Sequence, residues 1–357
     1  MAQGRLDRLR HLMEEKELDA LLLNKPVNLH YFSGFCGDDS LLIITRDKAL
    51  LVTDSRYTEQ AAQQAPGFEV VKQEEGLWKK AAECVESLGC RKAGFEGNAL
   101  LYNDYARMAE LLKGTEFRTA VELDPLRQVK DAEELSCIRR ACGIADRAFE
   151  DVLGFLRPGL SEIEVAAHIE NCMRQLGSER PAFQTIVASG KRGSLPHGIA
   201  TEKLIVAGEF VTMDYGAVYG GYRSDITRTV CVGAADERQR NVYGEVLKAQ
   251  LAALDAIRPG VSGRAVDQVA RDSLKKAGLE PYFGHGLGHS LGLEIHEEPR
   301  LSPRSKCEHL EAGMLVTDEP GVYIPGWGGL RIEDTVLVVE GGGEPLTKSS
   351  KGLMELI

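Results

Sequence analysis

The sequence predicts a two-domain α/β (α+β) protein whose second domain is internally duplicated. Three observations lead to this class. The length of 357 residues favours two domains, since a domain usually takes about 100 to 200 residues. Helical and strand patterns alternate through residues 1–125. A segment of the second domain recurs at an offset of 101 residues, which indicates two similar halves.

Residue spacing predicts the elements of the first domain. A first helix is indicated by apolar residues at helical spacing, namely Leu6, Leu9 and Met13. Residues 19–24 are predicted to form a buried strand. The apolar runs 41–45 and 49–53 are expected to form a hairpin that turns at residues 46–48.

A break in the pattern at residues 123–127 predicts the domain boundary. Asp131, followed by Glu134, forms a capping-box-like start to a long helix. We therefore predict domains at residues 1–127 and 128–357.

The second domain contains the internal repeat. Arg-Pro-Gly-Leu-Ser at 157–161 precedes an amphipathic helix that ends at Gly177. Arg-Pro-Gly-Val-Ser at 258–262 precedes another that ends at Gly278. A segment that recurs only once gives too few copies for a solenoid, so we expect two α/β halves related by a pseudo-two-fold axis. The cleft between such halves is the expected place for a site.

Charge and composition exclude several classes of function. The net charge of −11 argues against binding to nucleic acid or to an anionic membrane surface. No apolar run approaches the length of a membrane span, and the N-terminal segment lacks the apolar core of a signal peptide, so a cytoplasmic protein is expected. The eight cysteines contain no Cys-x-x-Cys pair and are expected to be reduced and mostly buried.

The strongest local signal is the segment 209–232, in which residues alternate on both sides of Gly220-Gly221. This pattern predicts two antiparallel strands joined by a tight turn. With the turn centred near residues 219–221, Asp214 and Asp225 would lie opposite or nearly opposite each other, with Cβ atoms roughly 5 Å apart. Like charges at that separation destabilise a hairpin unless a cation lies between them.

A second hairpin repeats this arrangement. Strands at 315–319 and 330–338 flank the turn segment 325–329, so Glu319 and Glu333 are also expected to face each other. Any one of these carboxylates alone would be interpreted as a solvated surface charge, but pairing in both halves favours a metal site. Four carboxylates in one cleft carry a charge of about −4, so we infer two divalent ions about 3.5 to 4 Å apart.

Histidines in glycine-rich segments add independent support. They are His197, His285, His289 and His296. Glycines there allow the backbone and the imidazoles to approach a ligand closely. The remaining histidines are expected to be structural, and they are His11, His30, His168 and His309.

Together these residues closely resemble the pita-bread metallopeptidases, and within them the Xaa-Pro peptidases, the group of prolidase and aminopeptidase P. The motifs that carry the resemblance are Asp214, Asp225, Gly-His-x-x-Gly-Leu-x-x-His-Glu at 288–297, Glu-Pro-Gly at 319–321 and Arg-Ile-Glu-Asp at 331–334. The segment 27–34 and the hairpin after it resemble a creatinase-type N-terminal domain. The resemblance therefore implies a creatinase-type α/β domain followed by a pseudo-two-fold pita-bread catalytic domain.

The resemblance also implies a set of metal ligands. Asp214 would hold one ion, and Asp225 with Glu333 would bridge both. His289 and Glu319 would complete the other ion. Carboxylate-rich ligation with one histidine suits Mn²⁺ or Co²⁺, with Fe²⁺ and Zn²⁺ as alternatives.

Catalytic roles follow from the same resemblance. His289 is chosen as the ligand over His285 because it lies seven residues before His296, the spacing that the family shows. A water molecule activated by the ions would attack the scissile carbonyl. His296 and His197 would donate hydrogen bonds to the substrate and the developing oxyanion, and Glu319 would shuttle a proton.

Substrate preference depends on one arginine. In prolidases an arginine shortly after the catalytic histidine binds the free carboxylate of the dipeptide, and Arg300 stands at the matching position. We therefore expect an Xaa-Pro dipeptidase that acts on proline-containing di- or oligopeptides, with His285 and Arg300 as substrate-binding residues. In the alternative interpretation, Arg300 is a surface residue paired with Glu297 or Glu298.

Three features depart from the family pattern. Asp318 stands where an apolar residue usually precedes the glutamate of Glu-Pro-Gly. Lys191 and Arg192 lie shortly before His197, where neutral residues are more usual. Arg223 lies beside the first hairpin. Any of these three basic residues could bind a carboxylate in longer or acidic substrates.

Other functions on the same scaffold are weighed against this one. The first alternative is an Xaa-Pro aminopeptidase, which releases the N-terminal residue of longer peptides. A metal-free creatinase-like amidinohydrolase or a non-catalytic homologue would be expected to have lost ligands, and all five are present. Methionine aminopeptidases usually lack the first domain. The resemblance also suggests a homodimer.

Overall fold

The computed structural model describes residues 2–356. The chain folds into two compact units, Met1–Leu126 and Arg127–Ile357.

The first unit is a mixed sheet with surrounding helices. Its helices are α1 (Ala2–Glu15), α2 (Pro26–Ser33), α3 (Thr58–Gln64), α4 (Leu77–Ser87) and α5 (Tyr102–Leu111). Its strands are β1 (Ala20–Leu23), β2 (Leu41–Thr45), β3 (Ala49–Thr53), β4 (Glu69–Lys72), β5 (Lys92–Glu96) and β6 (Glu116–Val121). They pair in the order β4–β3–β2–β1–β5–β6.

The elements predicted for this unit are confirmed. Strand β1 is buried along its whole length, as its continuous apolar run indicated. Strands β2 and β3 form an antiparallel hairpin with Leu42 opposite Leu51. The apolar residues Leu6, Leu9 and Met13 of α1 are buried.

The second unit contains two helix pairs and several small sheets. Its helices are α6 (Ala132–Phe155), α7 (Glu162–Gln175), α8 (Glu237–Ala256) and α9 (Gly263–Lys276). Its strands are β7 (Ile186–Ser189), β8 (Glu209–Tyr215), β9 (Val218–Tyr219), β10 (Tyr222–Arg223), β11 (Ile226–Val232), β12 (Gly288–Ser290), β13 (Glu297–Leu301), β14 (Leu315–Asp318), β15 (Gly321–Ile324), β16 (Gly328–Arg331), β17 (Asp334–Val339), β18 (Gly342–Pro345) and β19 (Glu355–Leu356).

The internal repeat appears as two similar halves. Helix α6 begins at the predicted capping box of Asp131 and Glu134, and it packs against α7. Helices α8 and α9 pack together in the same way. The second helix of each pair is N-capped by an equivalent serine, Ser161 or Ser262. Each helix pair shares a hydrophobic core with the strands of its own half.

The first hairpin differs in detail from the predicted register. Strand β8 pairs antiparallel with β11, and β9 with β10, around Gly220 and Gly221, which both have positive φ. Because these two glycines are themselves the turn residues, Asp214 lies opposite Thr227. Asp225 therefore lies on the same face but two positions along, diagonal to Asp214 rather than directly opposite it.

The second hairpin has the predicted register. Strand β14 pairs with β17 so that Asp318 lies opposite Asp334, and β15 pairs with β16 so that Gly321 lies opposite Arg331. The two ladders are continuous in register. Glu319 and Glu333 lie in the gap between them and face each other.

The cysteines agree with the prediction that they are reduced and mostly buried. All eight cysteines are free thiols, and all but Cys36 are buried or half-buried. None of the helices within residues 2–356 is long and apolar enough to cross a membrane.

Gly216 is expected to tolerate no side chain, because a Cβ there would lie 1.9 Å from the carbonyl oxygen of Ser224. Overpacking of this kind costs about 1 to 3 kcal/mol, so Gly216→Ala should lower the midpoint of thermal unfolding. The matched control is Gly143→Ala in α6, where a Cβ meets nothing within 4 Å. The control should be neutral or stabilising, by up to about 1 kcal/mol. Equal midpoints for the two variants would contradict the close approach at Gly216.

Candidate metal centre and active site

One cavity of about 720 Å³ in the second unit collects the site residues predicted from sequence. These lining residues are His197, Asp214, Asp225, His285, His289, His296, Arg300, Glu319 and Glu333. They come from both halves of the unit. The folded chain therefore brings together groups that lie more than a hundred positions apart in sequence.

Three carboxylates form the floor of this cavity. One oxygen from each of Asp214, Asp225 and Glu333 lies within 4.8 Å of the other two. All three residues are buried. The Oδ1 atoms of Asp214 and Asp225 and the Oε1 atom of Glu333 accept no hydrogen bond from the part of the chain that the structure describes. Buried, unpaired carboxylate oxygens are costly unless a cation binds them.

The pKa values of the carboxylates also indicate that a cation binds at the floor. Burial, together with the charges of Glu333 and Asp214, raises the pKa of Asp225 well above its ordinary value. Burial and the charges of Glu319 and Asp214 do the same to the pKa of Glu333. Burial raises the pKa of Glu319 to about 7 although Arg331 acts in the opposite direction. A divalent cation would relieve this crowding of like charges.

His289 completes the donor set. Its Nδ1 lies 3.0 Å from the carbonyl oxygen of Ser290, which can only accept, so Nδ1 carries the proton. The unprotonated Nε2 then faces Glu319 Oε1 at 3.3 Å and Asp225 Oδ2 at 3.7 Å. Burial and nearby His296 lower the pKa of His289 to about 3, which keeps the ring neutral. A nitrogen lone pair aimed at carboxylate oxygens is repulsive alone, but it fits a shared metal ion.

A buried arginine links the carboxylates of the two halves. Arg331 Nη2 donates to Asp214 Oδ2, and Arg331 Nε donates to Thr227 Oγ1 at 3.0 Å. Thr227 Oγ1 in turn donates to Glu333 Oε2 at 2.6 Å. Sequence reasoning assigned no role to Arg331 or Thr227. The available signal was their position, since each lies two residues from a predicted ligand in the sequence.

His285 is bonded within the protein at both ring nitrogens. Its Nδ1 donates to the Gly286 carbonyl at 2.7 Å. Tyr323 Oη accepts from Arg331 Nη1 at 2.6 Å and donates its own proton to His285 Nε2 at 3.0 Å. Burial and Arg331 lower the pKa of His285 to about 4. The ring therefore offers a substrate its edge and face rather than a hydrogen-bonding nitrogen.

His197 and His296 are the exposed histidines of the cavity. The His296 ring packs edge-on against His289, with ring centroids 4.4 Å apart. Partial burial and the charge of Arg300 lower the pKa of His296. Both side chains are thus placed to contact a bound ligand.

Arg300 lines the cavity and is weakly paired. Its side chain is 43% exposed, and its Nε lies 3.8 Å from Glu298 Oε1. Glu297 is instead buried and accepts from Lys130 Nζ at 2.8 Å. Pairing of Arg300 with Glu297 is therefore wrong, and the contact with Glu298 is too long and exposed to hold the guanidinium.

The other basic residues that were considered as carboxylate-binding groups do not line this cavity. Arg192 donates to the buried Glu162. Arg223 Nε donates to the Leu293 carbonyl at 3.1 Å, and its Nη1 donates to the Ala182 carbonyl. Lys191 does not line the cavity either. None of these three side chains lines the cavity, so the structure gives them no contact with the space in which a dipeptide would bind.

Comparison with known families agrees with this geometry. Residues 136–340 match the model of metallopeptidase family M24. The chain belongs to metallopeptidase family M24. Residues 5–129 match the creatinase/prolidase N-terminal domain. The predicted family, pita-bread fold and metal dependence are therefore confirmed.

Individual members of the M24 family are similar along the whole chain. The Xaa-Pro dipeptidase of Pyrococcus furiosus is 41% identical, over 98% of this chain and 99% of that one. A solved Xaa-Pro dipeptidase from Bacillus anthracis has a TM-score of 0.96 and 43% identity, covering 99% of both chains. A solved X-Pro aminopeptidase from Thermotoga maritima has a TM-score of 0.92 and 36% identity, covering 98% of this chain and 99% of that one.

Divalent metal should stabilise the folded protein measurably. At a free ion concentration of about 100 times Kd, binding adds roughly 2.7 kcal/mol to the free energy of unfolding. We expect chelator-treated protein to unfold at a lower temperature than protein supplied with Mn²⁺. Asp225→Asn should lose most of this difference, because it removes one carboxylate of the floor. Asp272→Asn, on the exposed face of α9, should keep it. An equal Mn²⁺ response in all three proteins would place the ion elsewhere.

Proposed function

We propose that this metallopeptidase hydrolyses Xaa-Pro peptide bonds and acts chiefly as an Xaa-Pro dipeptidase. The observation that carries the proposal is the placement of Arg300 in the same cavity as the carboxylate floor and His289 Nε2. The same cavity thus offers metal ligands and, opposite His289 on the neighbouring strand, a half-exposed guanidinium that can bind a free carboxylate. Relatives named Xaa-Pro dipeptidase support the assignment.

Two divalent ions are proposed at the cavity floor. Asp214, Asp225, His289, Glu319 and Glu333 would hold them, since His289 Nε2 points towards Glu319 and Asp225 beside the other carboxylates. Four carboxylates face a single buried arginine here, so more than one divalent ion is needed to balance them. Mn²⁺ or Co²⁺ suits this donor set best, with Fe²⁺ and Zn²⁺ as alternatives. When bound, the ions supply Lewis acidity to the scissile carbonyl and to the attacking water.

The surrounding side chains act on the substrate. His197 and His296 donate hydrogen bonds to the carbonyl region and to the oxyanion that develops there. Glu319 accepts from Thr317 Oγ1 at 3.0 Å, which fixes its carboxylate at the edge of the floor. From there it takes a proton from the attacking water and delivers it to the leaving proline nitrogen.

Substrate selection uses the apolar and charged parts of the cavity wall. Apolar side chains of the wall are Phe183, Ile186, Pro196, Ile199 and Ile295. We propose that they accept the proline ring, which lacks an N–H and therefore needs no hydrogen-bond acceptor. His285 presents its ring to the same space. Arg300 binds the free carboxylate of the dipeptide.

A second candidate is Xaa-Pro aminopeptidase activity on longer peptides. Similarity to the X-Pro aminopeptidase of Thermotoga maritima supports this alternative. The two activities differ in the chemical group on the C-terminal side of the proline, so Arg300 separates them. A dipeptide offers Arg300 a carboxylate at that position, whereas a longer peptide offers a neutral amide.

We also propose the domain bounds, the cellular location and the oligomeric state of the protein. Residues 1–127 would form the creatinase-like domain and 128–357 the pita-bread catalytic domain, which the family matches at 5–129 and 136–340 support. We further propose a cytoplasmic homodimer that binds neither nucleic acid nor membrane. The net charge of −11 supports the exclusion of nucleic acid.

His296 and His289 should behave differently when replaced by alanine. His296→Ala should retain the metal but lower kcat on the order of 10²-fold or more, because a donor to the oxyanion is lost. His289→Ala should lose metal, because it removes the only nitrogen ligand assigned to the floor. Metal content per chain and kcat for Ala-Pro, measured on both variants, check this. Metal loss in His296→Ala with retention in His289→Ala would reverse the two roles.

Arg300→Ala should lower kcat/KM for Xaa-Pro dipeptides about 10- to 100-fold, since charge-assisted hydrogen bonds contribute roughly 1.5 to 3 kcal/mol. Cleavage of Ala-Pro-Ala should fall less. Arg300→Lys should recover only part of the loss, because an ammonium group cannot reproduce the bidentate fork. If the wild type prefers the tripeptide and Arg300→Ala cleaves Ala-Pro normally, the aminopeptidase assignment replaces the dipeptidase one.

A further inference from the structure

We propose that Glu162 and Arg192 are positioning residues for His197. Their ion pair, in which the carboxylate is buried and the guanidinium is partly exposed, fixes the segment that carries this histidine. This segment comprises residues 190–200, and we call it the His197 loop. The inference rests on the role proposed above for His197. It also accounts for the basic residue at position 192, where the family resemblance leads us to expect a neutral one.

The His197 loop has little apolar burial to hold it. It leaves β7 after Ser189 and rejoins the fold at Thr201. Its large apolar side chains are exposed, Leu195 by 51% and Ile199 by 45%. Segments with few buried apolar contacts open most easily. Polar contacts must therefore supply much of the order that His197 needs.

The carboxylate of Glu162 accepts hydrogen bonds from the residues that flank both ends of this loop. Glu162 is the first residue of α7, and its side chain is 0% exposed. Its Oε1 accepts from Ser189 N at 2.8 Å and Ser189 Oγ at 2.9 Å. Its Oε2 accepts from Thr201 N at 3.2 Å and Thr201 Oγ1 at 2.8 Å. A buried carboxylate with this many donors is a fixed anchor rather than a mobile charge.

Arg192 connects that anchor to the interior of the loop. Its Nη1 donates to Glu162 Oε2, and its Nη2 donates to the Ile199 carbonyl at 2.9 Å. The planar guanidinium thus bridges positions 192 and 199, between which His197 lies. On the cavity side, Arg331 Nη1 donates to the Pro196 carbonyl at 3.3 Å. The loop is held from both sides, and the contacts of Arg192 involve none of the proposed metal ligands.

Displacement of a catalytic donor is costly even without loss of fold. A misplacement of about 1 Å can lower the rate on the order of 10²-fold. We therefore expect Arg192→Ala to lower kcat about 10-fold, with little change in KM or bound metal. Arg192→Lys should recover part of kcat, since it restores the charge beside Glu162 but not the second contact to Ile199.

A double-mutant cycle on the metal-loaded enzyme tests this with Ala-Pro as substrate. The four proteins are the wild type, Arg192→Ala, His197→Ala and the double variant. If Arg192 acts through His197, the double variant has the same kcat as His197→Ala. If Arg192 has a merely structural role, its effect persists in the His197→Ala background, and that outcome overturns the proposal.

Two further variants keep the test decisive if Arg192→Ala folds poorly. Thr201→Val removes one hydroxyl donor to Glu162 with little change in shape. It should lower kcat when His197 is present and have no effect in the His197→Ala background. The matched control is Glu164→Gln, in the same helix turn but exposed and bonded to Ser161. Its kcat should stay at the wild-type level.

The outcomes separate this inference from the proposed function. If His197→Ala itself retains wild-type kcat, the role assigned to His197 fails. If His197→Ala is slow while Arg192→Ala and Thr201→Val are as fast as the wild type, only the positioning inference fails.

Discussion

Mutual repulsion among buried carboxylates is the constraint on which the second unit depends. Asp214, Asp225 and Glu333 place oxygen atoms within 4.8 Å of one another in a buried floor. A fourth carboxylate, that of Glu319, lies 3.3 Å from His289 Nε2. Such a cluster is unfavourable in an isolated folded chain, because burial removes the water that would otherwise screen it. The cost is acceptable only if bound cations offset it. Stability and metal affinity are therefore two aspects of the same arrangement of charges.

The protein partly offsets this repulsion with its own side chains. Arg331 bonds to Asp214 and Thr227, and Thr227 bonds to Glu333, so one guanidinium contacts groups from both hairpins. A similar arrangement lies just behind the floor. Gln250 Nε2 donates to Asp318 at 3.0 Å and Asp334 at 3.1 Å, the residues next to the two glutamates in sequence. Arg228 and Lys351 both bond to Asp334. Asp318, which departs from the family pattern, thus belongs to a buried polar network and does not line the cavity.

Local signals in the sequence were sufficient to predict most of the fold. The capping box at Asp131, the hairpin across Gly220-Gly221 and the pairing of Glu319 with Glu333 all depend on neighbours within one element or one turn. The diagonal offset of Asp225 was less accessible, because it depends on which two residues adopt left-handed conformations. The contact that holds the His197 loop was not predictable from the sequence. Arg192 and Glu162 are separated by 30 positions, and no periodicity reveals that they meet.

The diagonal placement of the two aspartates also limits how the gene could have changed. Side chains alternate between the faces of a strand, so a shift of β11 against β8 by one residue would turn Asp225 away from Asp214. A shift by two residues would keep Asp225 on that face but change its distance from Asp214. Insertions at Gly220-Gly221 are therefore compatible with the metal floor only where the lengthened loop leaves the pairing of β8 with β11 unchanged.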